Sequence, residues 1–531
     1  MEKKSLLQQK WYLYLTEFFS GVSVMAVELG ASRLLAPYFS SSQIVWTIII
    51  GTIMIAMALG NLWGGRTADK NPDPALLYRR ILIAAVWIAA IPAVGKYVIL
   101  GVSGVLVFAV NSRFLVLAAF ASCMILFVFP LFLLGTVTPS LVKYAVDSLS
   151  DSGRTVGRLG ACNTVGSILG TFLPTFVTIP AVGTSVTFLI FSGVLLAIGL
   201  AYFISEKKYA VRCIAASVLF VLCALFGHGT SFAFWETGLT YEGESVYNYL
   251  QVKEDDRRVT LSTNVLFGVQ SVMMKNGGLT GMYYDYALAA PAMSGTNTPR
   301  ILILGNGTGT FARQCRTYFP DAAVEGVEID GKITRLASAY FASPGDVPVA
   351  EYDGRAYLHS AEGVYDVIMV DAYQDITIPF QMSTREFFTQ VRSHLSENGV
   401  MVVNMNMHAD GADSINAWLS DTIASVFPYV ATVDVPQNTN KELFASCSGE
   451  PARLLQSGLS SVTDAHLQSL LGAAQKNLAA YAPGDHLLTD DKAPVEVLGM
   501  RMIDGLIEEE LQQYRNIYAE KGLSGLLSEL T

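Results

Sequence analysis

At 531 residues the chain is too long for one ordinary domain, and with 52% hydrophobic residues and a mean hydropathy of +0.40 it is too apolar to be wholly soluble. A formal net charge of −10 argues against a nucleic-acid partner, because phosphate binding needs a basic face and none is visible. The six cysteines lack Cys or His neighbours at ligand spacing, so neither a disulfide framework nor a bound metal is expected.

Residues 1–230 read as an integral membrane helical domain whose partner is the lipid bilayer. A span needs roughly 20 mostly apolar residues, and such runs lie near 11–36, 43–63, 81–108, 114–138, 159–181, 184–204 and 211–228, about seven spans with six to eight compatible. "MEKKSLLQQK" begins no cleavable leader, because a long segment holding Glu17 and Glu28 follows it. Helical spacing brings Glu17 and Glu28 to within about 20° of one face. Ionisable groups at this depth mark either a transport pathway or a structural ion pair, and a pair with Arg33 or Lys96 is the expectation. The small-residue tracts "GRLGACNTVGSILGTFLP" and "LFLLGTVTPS" suit close helix packing or helix breaks. Lys and Arg concentrate in the N terminus, "GGRTADKNPDPALLYRR", "VKYAVDSLSDSGRTVGR" and "EKKYAVR", which the positive-inside rule makes cytoplasmic. With seven spans that rule leaves the C-terminal half outside the cell.

Residues 240–290 predict a small antiparallel β-sheet domain followed by a gate helix. "ESVYNYLQVKED", "RRVTLSTN" and "VQSVMMKN" are short, β-branched and aromatic, and "LTGMYYDYALAAPAM" is helix-like. Over 291–510 strands and helices alternate as in an α/β Rossmann-like, methyltransferase-type domain, and 511–531 reads as a C-terminal helical tail. "RILIL" runs into the glycine turn "GNGTG", which supplies Gly305, Gly307, Thr308 and Gly309. Glu328 ends the next strand at the spacing of an acid that accepts ribose hydroxyls. Asp353 and Gly354 follow the third strand and Asp371 ends the fourth, so all of these face one crevice at the carboxyl ends of a parallel sheet. An acid ending an apolar central strand is costly unless used, which singles out Asp371.

Residues 240–405 resemble spermidine synthase, the aminopropyltransferase family, and the whole chain resembles bacterial forms fused to a multi-span membrane domain. The resemblance lies in "SVYNYLQV", "GVQS" with "YYDY", the glycine turn, "VEID", "YDGRAYL" and "YDVIMVDAY" leading to "STREFF", with "LTDDKAPVE" similar to a C-terminal signature of the fused forms. It implies a small-molecule substrate, S-adenosylmethionine or its decarboxylated form, and no metal. It further implies that Glu328 holds the ribose and Asp353 the adenine amino group, and that Asp371 is the general base or amine ligand. Gln270, Tyr247 and Tyr283 would line the pocket, with Tyr284, Tyr373, Gln374 and Asp375 on the substrate side.

Departures from the family pattern shape the functional expectation. Thr308 stands where the family usually has an aspartate for the propyl amine, "LTGM" replaces an acidic pair, and Gln374 replaces a second aspartate. Fewer anions grip a diamine. The expected activity is therefore cleavage of the propyl carbon–sulfur bond of S-adenosylmethionine to methylthioadenosine and a lactone, a lyase. The alternative is aminopropyl transfer from the decarboxylated donor to putrescine, ahead of a methyltransferase or a nucleoside-sensing transporter. Substrate supply favours a cytoplasmic catalytic domain on an inner or plasma membrane, against the charge rule, and a homo-oligomer is left open.

Overall fold

Apolar runs that must satisfy their own backbone in lipid fold as helices. They are α1 (Lys10–Phe39), α2 (Gln43–Lys70), α3 (Pro74–Ala109), α4 (Phe114–Leu126), α5 (Val128–Gly135), α6 (Val137–Ala145), α7 (Ser152–Leu173), α8 (Ile179–Ser205) and α9 (Ala210–Gly227). The structure is a computed structural model that describes all residues except 1–8, 40–41, 111–112, 147–151, 208, 230, 235, 237, 265–267, 343–344, 373–377, 406–410, 437–438 and 531. It divides into two compact units: Met1–Trp235 with Gly243–Tyr249 and Ile507–Thr531, and Glu236–Glu242 with Leu250–Leu506.

In the first unit, 6 helical stretches among the described residues are long and apolar enough to cross a bilayer, which makes the chain an integral membrane protein. One of them, Ser152–Ser205, runs 54 residues and contains the spans expected at 159–181 and 184–204. At about 1.5 Å per residue it far exceeds the roughly 30 Å hydrocarbon core. It is interrupted by the π-helical turn Pro174–Thr178 and by Gly183 at φ 80°. The single span expected at 114–138 is instead divided into α4, α5 and α6. Pro130 offers no N–H to the Leu126 carbonyl and Pro139 none to Gly135, so the helix breaks at Phe127 and Thr136. The Trp87 indole N–H donates to the freed Leu126 carbonyl at 3.0 Å.

The small-residue tract of α7 lets it meet α1 backbone to backbone. A Cβ on Gly166 would lie 2.1 Å from the Phe18 carbonyl oxygen and one on Gly170 2.2 Å from that of Val22. Glu17 is buried in this contact, and the expected ion pair is not what satisfies it. Glu17 Oε1 accepts from Thr138 Oγ1 (2.6 Å) and Asn163 Nδ2 (2.9 Å). Arg33 donates to the Ser245 and Val246 carbonyls, and Lys96 to the Ser231 carbonyl.

The second unit carries the sheets. β1 (Leu239–Glu244), β2 (Tyr249–Glu254), β3 (Arg258–Ser262) and β4 (Ser271–Met274) form a four-stranded sheet in that order, with β2–β3 and β3–β4 antiparallel. The helix-like run after it is two short helices, α10 (Tyr283–Ala287) and α11 (Ala289–Met293). Then come β5 (Arg300–Leu304), α12 (Thr310–Tyr318), β6 (Ala323–Glu328), α13 (Gly331–Tyr340), β7 (Val349–Glu351), α14 (Gly354–Ser360), β8 (Tyr365–Val370), α15 (Arg385–Ser393) and β9 (Leu395–Met405). They give the parallel order β9-β8-β5-β6-β7. Strands covered on both faces read as continuous apolar runs, which is why "RILIL" and "VIMV" show no alternation.

Beyond β9 the chain adds α16 (Ile415–Ala424), β10 (Tyr429–Asp434), β11 (Lys441–Ser446), α17 (Pro451–Gly458), α18 (Ala465–Asn477) and β12 (Ala479–Ala480). These strands extend the sheet antiparallel, as β12-β10-β11-β9. One face of the sheet packs Ile301, Ile303, Met369, Val402 and Phe444 against Tyr283, Tyr284 and Phe311; the other packs Leu302, Leu304 and Val403 against Phe387 and Phe388. "LTDDKAPVE" acts as a clamp: Asp490 takes both guanidinium nitrogens of Arg355 (2.8 and 2.7 Å) and the Thr384 hydroxyl (2.7 Å), joining the segment to α14 and the N-cap of α15. The last helix, α19 (Val495–Leu530), follows. From Ile507 on the chain groups with the membrane helices, as does Gly243–Tyr249, where the sequence suggests a separate tail and an undivided small sheet.

Candidate active site

At the end of β5 the chain must double back beneath β8, and only glycine fits. Gly305 sits at φ 91°, and a Cβ there would lie 2.5 Å from the Asp371 carbonyl oxygen. The N–H groups of Gly305 and Asn306 both donate to the Val327 carbonyl at 2.9 Å, pinning the turn to β6. Gly307 and Gly309 also take positive φ, and Gly309 caps α12.

Glu328 braces this turn from the end of β6. Its Oε2 accepts from the Gly307 N–H (2.8 Å) and its Oε1 from the Asp330 N–H (3.0 Å). Each carboxylate oxygen can take a second donor, so the group keeps capacity for a ligand hydroxyl. Burial pushes the carboxyl upward and the backbone hydrogen bonds oppose the shift. Thr308 is fully buried; its N–H donates to Ser271 Oγ (3.1 Å) and its hydroxyl oxygen has no partner among the described residues. The Thr310 hydroxyl donates to the Val272 carbonyl (2.8 Å), so β4 is seated on the glycine turn. Gln270, just before β4, spends its side-chain oxygen on the Thr263 N–H (3.1 Å) while its carbonyl accepts from the Tyr284 hydroxyl. Asp353 is the N-cap of α14 through the Ala356 N–H (2.8 Å), with Gly354 the first helical residue.

Asp371 stands at the centre. Its Oδ2 accepts from the Tyr283 hydroxyl (2.8 Å) and its Oδ1 from Asn404 Nδ2 (2.9 Å), and Asn404 Oδ1 in turn accepts from Asn440 Nδ2 (2.8 Å). Burial pushes the Asp371 carboxyl up to about 7, with these two hydrogen bonds opposing and the Glu328 charge adding. Burial likewise holds the Tyr283 phenol well above its ordinary value, so it stays a donor. The result is a carboxylate that exchanges a proton near neutral pH, as a general base requires.

The register extends this centre sideways. Val370 pairs Val403 across β8 and β9, which sets Asp371 beside Asn404, and Asn404 pairs Glu442 across β9 and β11. Glu442 is fully buried and neither carboxylate oxygen has a partner among the described residues. Burial first, and the Asp371 charge second, push it well above the carboxylate range.

The structure therefore brings together Gly305, Gly307, Thr308, Gly309, Glu328, Gln270, Tyr283, Tyr284 and Asp371, with Asp353 and Gly354 at the neighbouring strand end. Tyr373, Gln374 and Asp375 lie outside the described residues. Tyr247 falls in the Gly243–Tyr249 segment of the first unit, so the site is described from the second unit alone. Asn404, Asn440 and Glu442 were not expected. Asn404 closes the apolar run "GVMVV" just as Asp371 closes "VIMV" and was open to the same argument. Glu442 in "NKELFAS" needed the register of β11. Among the described residues no group of His, Cys, Asp and Glu is suited to hold a metal ion.

A first expected result tests the nucleoside side. If Glu328 accepts the ribose hydroxyls as the resemblance implies, Glu328→Gln is expected to weaken donor binding by roughly tenfold or more, since a charge-assisted acceptor becomes a neutral amide. Calorimetry with methylthioadenosine measures it, and an unchanged dissociation constant would place the ribose elsewhere.

Residues 282–455 match the spermine/spermidine synthase domain. A probable polyamine aminopropyl transferase of Bifidobacterium longum is 54% identical over 346 residues, covering 62% of this chain and 77% of that protein. The polyamine aminopropyltransferase of Vibrio vulnificus is 27% identical over 235 residues, covering 43% and 76%. Among solved structures, a probable spermidine synthase from Corynebacterium glutamicum is similar over 47% of this chain and 97% of its own, with 20% identity and a TM-score of 0.36.

Proposed function

The chain belongs to the polyamine aminopropyltransferase family, and from that premise we propose that it transfers the aminopropyl group of decarboxylated S-adenosylmethionine to an amine at the Asp371 centre. The observation that carries this reading is the protonation range of Asp371, pushed up to about 7 between Tyr283 and Asn404. An amine enters as an ammonium and must lose a proton before it attacks. A carboxylate in that range accepts the proton. The free nitrogen then forms a bond to the propyl carbon beside the sulfonium, the carbon–sulfur bond breaks, and its electron pair returns to sulfur, releasing neutral methylthioadenosine. The leaving group is already activated, so the remaining task is alignment and exclusion of water.

In this reading Glu328 and the glycine turn hold the nucleoside, Asp353 takes the adenine edge, and Gln270 with Tyr283 and Tyr284 walls the propyl arm. The Tyr373–Asp375 segment stays assigned to the substrate side as a proposal. The lactone-forming lyase, expected from Thr308 and Gln374, is the weaker reading: its nucleophile is a carboxylate ionised at neutral pH that asks nothing of a base. The 54% identical relative also carries the name of a transferase.

Purified full-length protein given the decarboxylated donor and putrescine is expected to form spermidine and methylthioadenosine together, detected by mass. Methylthioadenosine from S-adenosylmethionine alone, with no amine added, would restore the lyase.

A further inference from the structure

Glu17 is a buried carboxyl of the first unit to which the aminopropyl-transfer reading gives no task. The chain runs through α1, α2, α3 and α4–α6 in alternate directions, so α1 begins and α6 ends at the same end of the bundle. At about 1.5 Å per residue, Glu17 on α1 and Thr138 on α6 each lie about 10 Å from those helix ends. Both are deeper than the exposed Lys143–Asp69 ion pair (2.9 Å) at that end. Asn163 reaches the same point from α7.

Three helices thus converge on one carboxyl, and they spend both donors on one of its oxygens. Oε1 accepts from Thr138 Oγ1 and Asn163 Nδ2, whereas Oε2 is enclosed and has no hydrogen-bond partner among the described residues. Among the same residues Glu17 forms no ion pair; Arg33 and Lys96 donate to main-chain carbonyls. Helix packing does not account for the acid. α1 and α7 close on Gly21, Gly166 and Gly170, and a Cβ on Gly21, one turn along from Glu17, would lie 2.5 Å from the Asn163 carbonyl oxygen. A neutral glutamine would link the same three helices. An ionised carboxylate needs a counter-charge and a neutral one needs an acceptor for its proton, and Oε2 meets neither. Ionisable groups kept inside a membrane bundle characteristically bind or pass charge.

We propose that Glu17 Oε2 binds a monovalent cation in exchange for the carboxyl proton, so that the membrane unit holds a ligand of its own. The exchange is neutral: one proton leaves as one positive charge enters, and no net charge is added to apolar surroundings. A single carboxylate balances one charge. A divalent ion would keep an excess and would draw several further oxygens, commonly from other carboxylates, and among the described residues no group of His, Cys, Asp and Glu offers them. The two donors on Oε1 fix the carboxylate between α6 and α7, with Oε2 as its open side. An alkali ion suits such an oxygen, and a primary ammonium meets it through a charge-assisted hydrogen bond. Thr138 and Asn163 are half-buried where Glu17 is fully buried, which puts the approach to the carboxyl between those two helices. The proposal is independent of the aminopropyl-transfer reading and of Asp371.

The experiment labels the full-length protein in detergent with dicyclohexylcarbodiimide, an apolar reagent that modifies protonated carboxyls in apolar surroundings, and locates the adduct by peptide mass. Glu17 is expected to be labelled in choline chloride. Sodium, potassium or methylammonium chloride at equal ionic strength is expected to slow that labelling, by about tenfold once the cation stands at ten times its dissociation constant. The salt that protects tells an alkali ion from an ammonium. Glu28, half-buried on the same helix, is the internal reference, and its labelling is expected to be equal in all four salts. Thr138→Val keeps the carboxyl and removes one donor that fixes it, and is expected to raise the half-protecting concentration about fivefold. Glu17 left unlabelled in choline, labelled equally in all four salts, or protected only in step with Glu28 overturns the proposal. So does an unchanged half-protecting concentration in Thr138→Val, which would leave Glu17 as a link between helices.

Discussion

Replacing Asp371 with asparagine lowers aminopropyl transfer by about 10² to 10⁴ and changes the shape of the pH profile as well as its height. In the proposed mechanism Asp371 acts as base when ionised, and burial pushes its carboxyl up to about 7. The wild-type kcat/KM therefore falls about tenfold per unit below that point and levels above it. The variant has no base, so its residual rate climbs steadily through pH 8 and 9 as free amine accumulates from an ammonium titrating near 10. A residual rate flat over that range would mean that no amine proton has to be removed, and would sink the transfer mechanism.

The same substitution acts on stability in the opposite sense. The folded protein raises the Asp371 carboxyl from an ordinary 3.8 to about 7, so the native state binds this proton more tightly than the unfolded chain does. Wild-type stability is full below the unfolded value and declines as pH rises toward 7, by up to about 4 kcal/mol. Asparagine carries no charge to bury, and the Tyr283 hydroxyl can turn to accept from its amide. The variant is thus expected to melt higher than wild type at pH 8 and to converge with it near pH 4. Calorimetry at both values checks this, and a lower melting point for the variant at pH 8 would contradict the burial argument.

The second large effect is at Gly305. A Cβ there meets the Asp371 carbonyl oxygen at 2.5 Å and the Ala372 backbone at 2.7 Å, all main chain that cannot swing away, and φ 91° adds strain. Gly305→Ala is expected to cost about 2–4 kcal/mol and to abolish measurable nucleoside binding, because relief of the clash drives the turn off Val327. Gly281, at φ 73° with nothing within 4 Å, separates strain from collision. Gly281→Ala is expected to cost only about 1–2 kcal/mol and to leave nucleoside affinity intact. Equal losses in the two variants, by thermal melts and calorimetry, would show that collision at the β5–β8 crossing has no part in the effect.

Much of the geometry proposed for the nucleoside side was legible because its signals are local. Gly305, Gly307 and Gly309 announce a turn by composition, and Glu328 follows at a spacing set by one helix and one strand. Asp371 stands out as an acid at the end of an apolar run. Glu442 and Asn440 escaped because strand pairing, which only the fold provides, brings them to the centre from beyond β9. The membrane half shows the same division. Close packing of α7 was written in its glycines, whereas the partners of Glu17 come from α6 and α7, and a charge count directed attention to Arg33 and Lys96 instead. The break at Phe127 was legible in Pro130, but a hydropathy window averages over a proline that costs one hydrogen bond.

Tyr283 and Tyr284 are consecutive residues of a five-residue helix, yet their hydroxyls hold different things: one the Asp371 carboxylate, the other the Gln270 carbonyl beside the small sheet. Their rings lie 4.0 Å apart, so α10 works as a short lever with two loads on adjacent teeth. Under the proposed transfer mechanism, a movement of α10 that broke both hydrogen bonds would remove one partner of the Asp371 carboxylate and one wall of the pocket together, leaving no group positioned to help water attack the sulfonium.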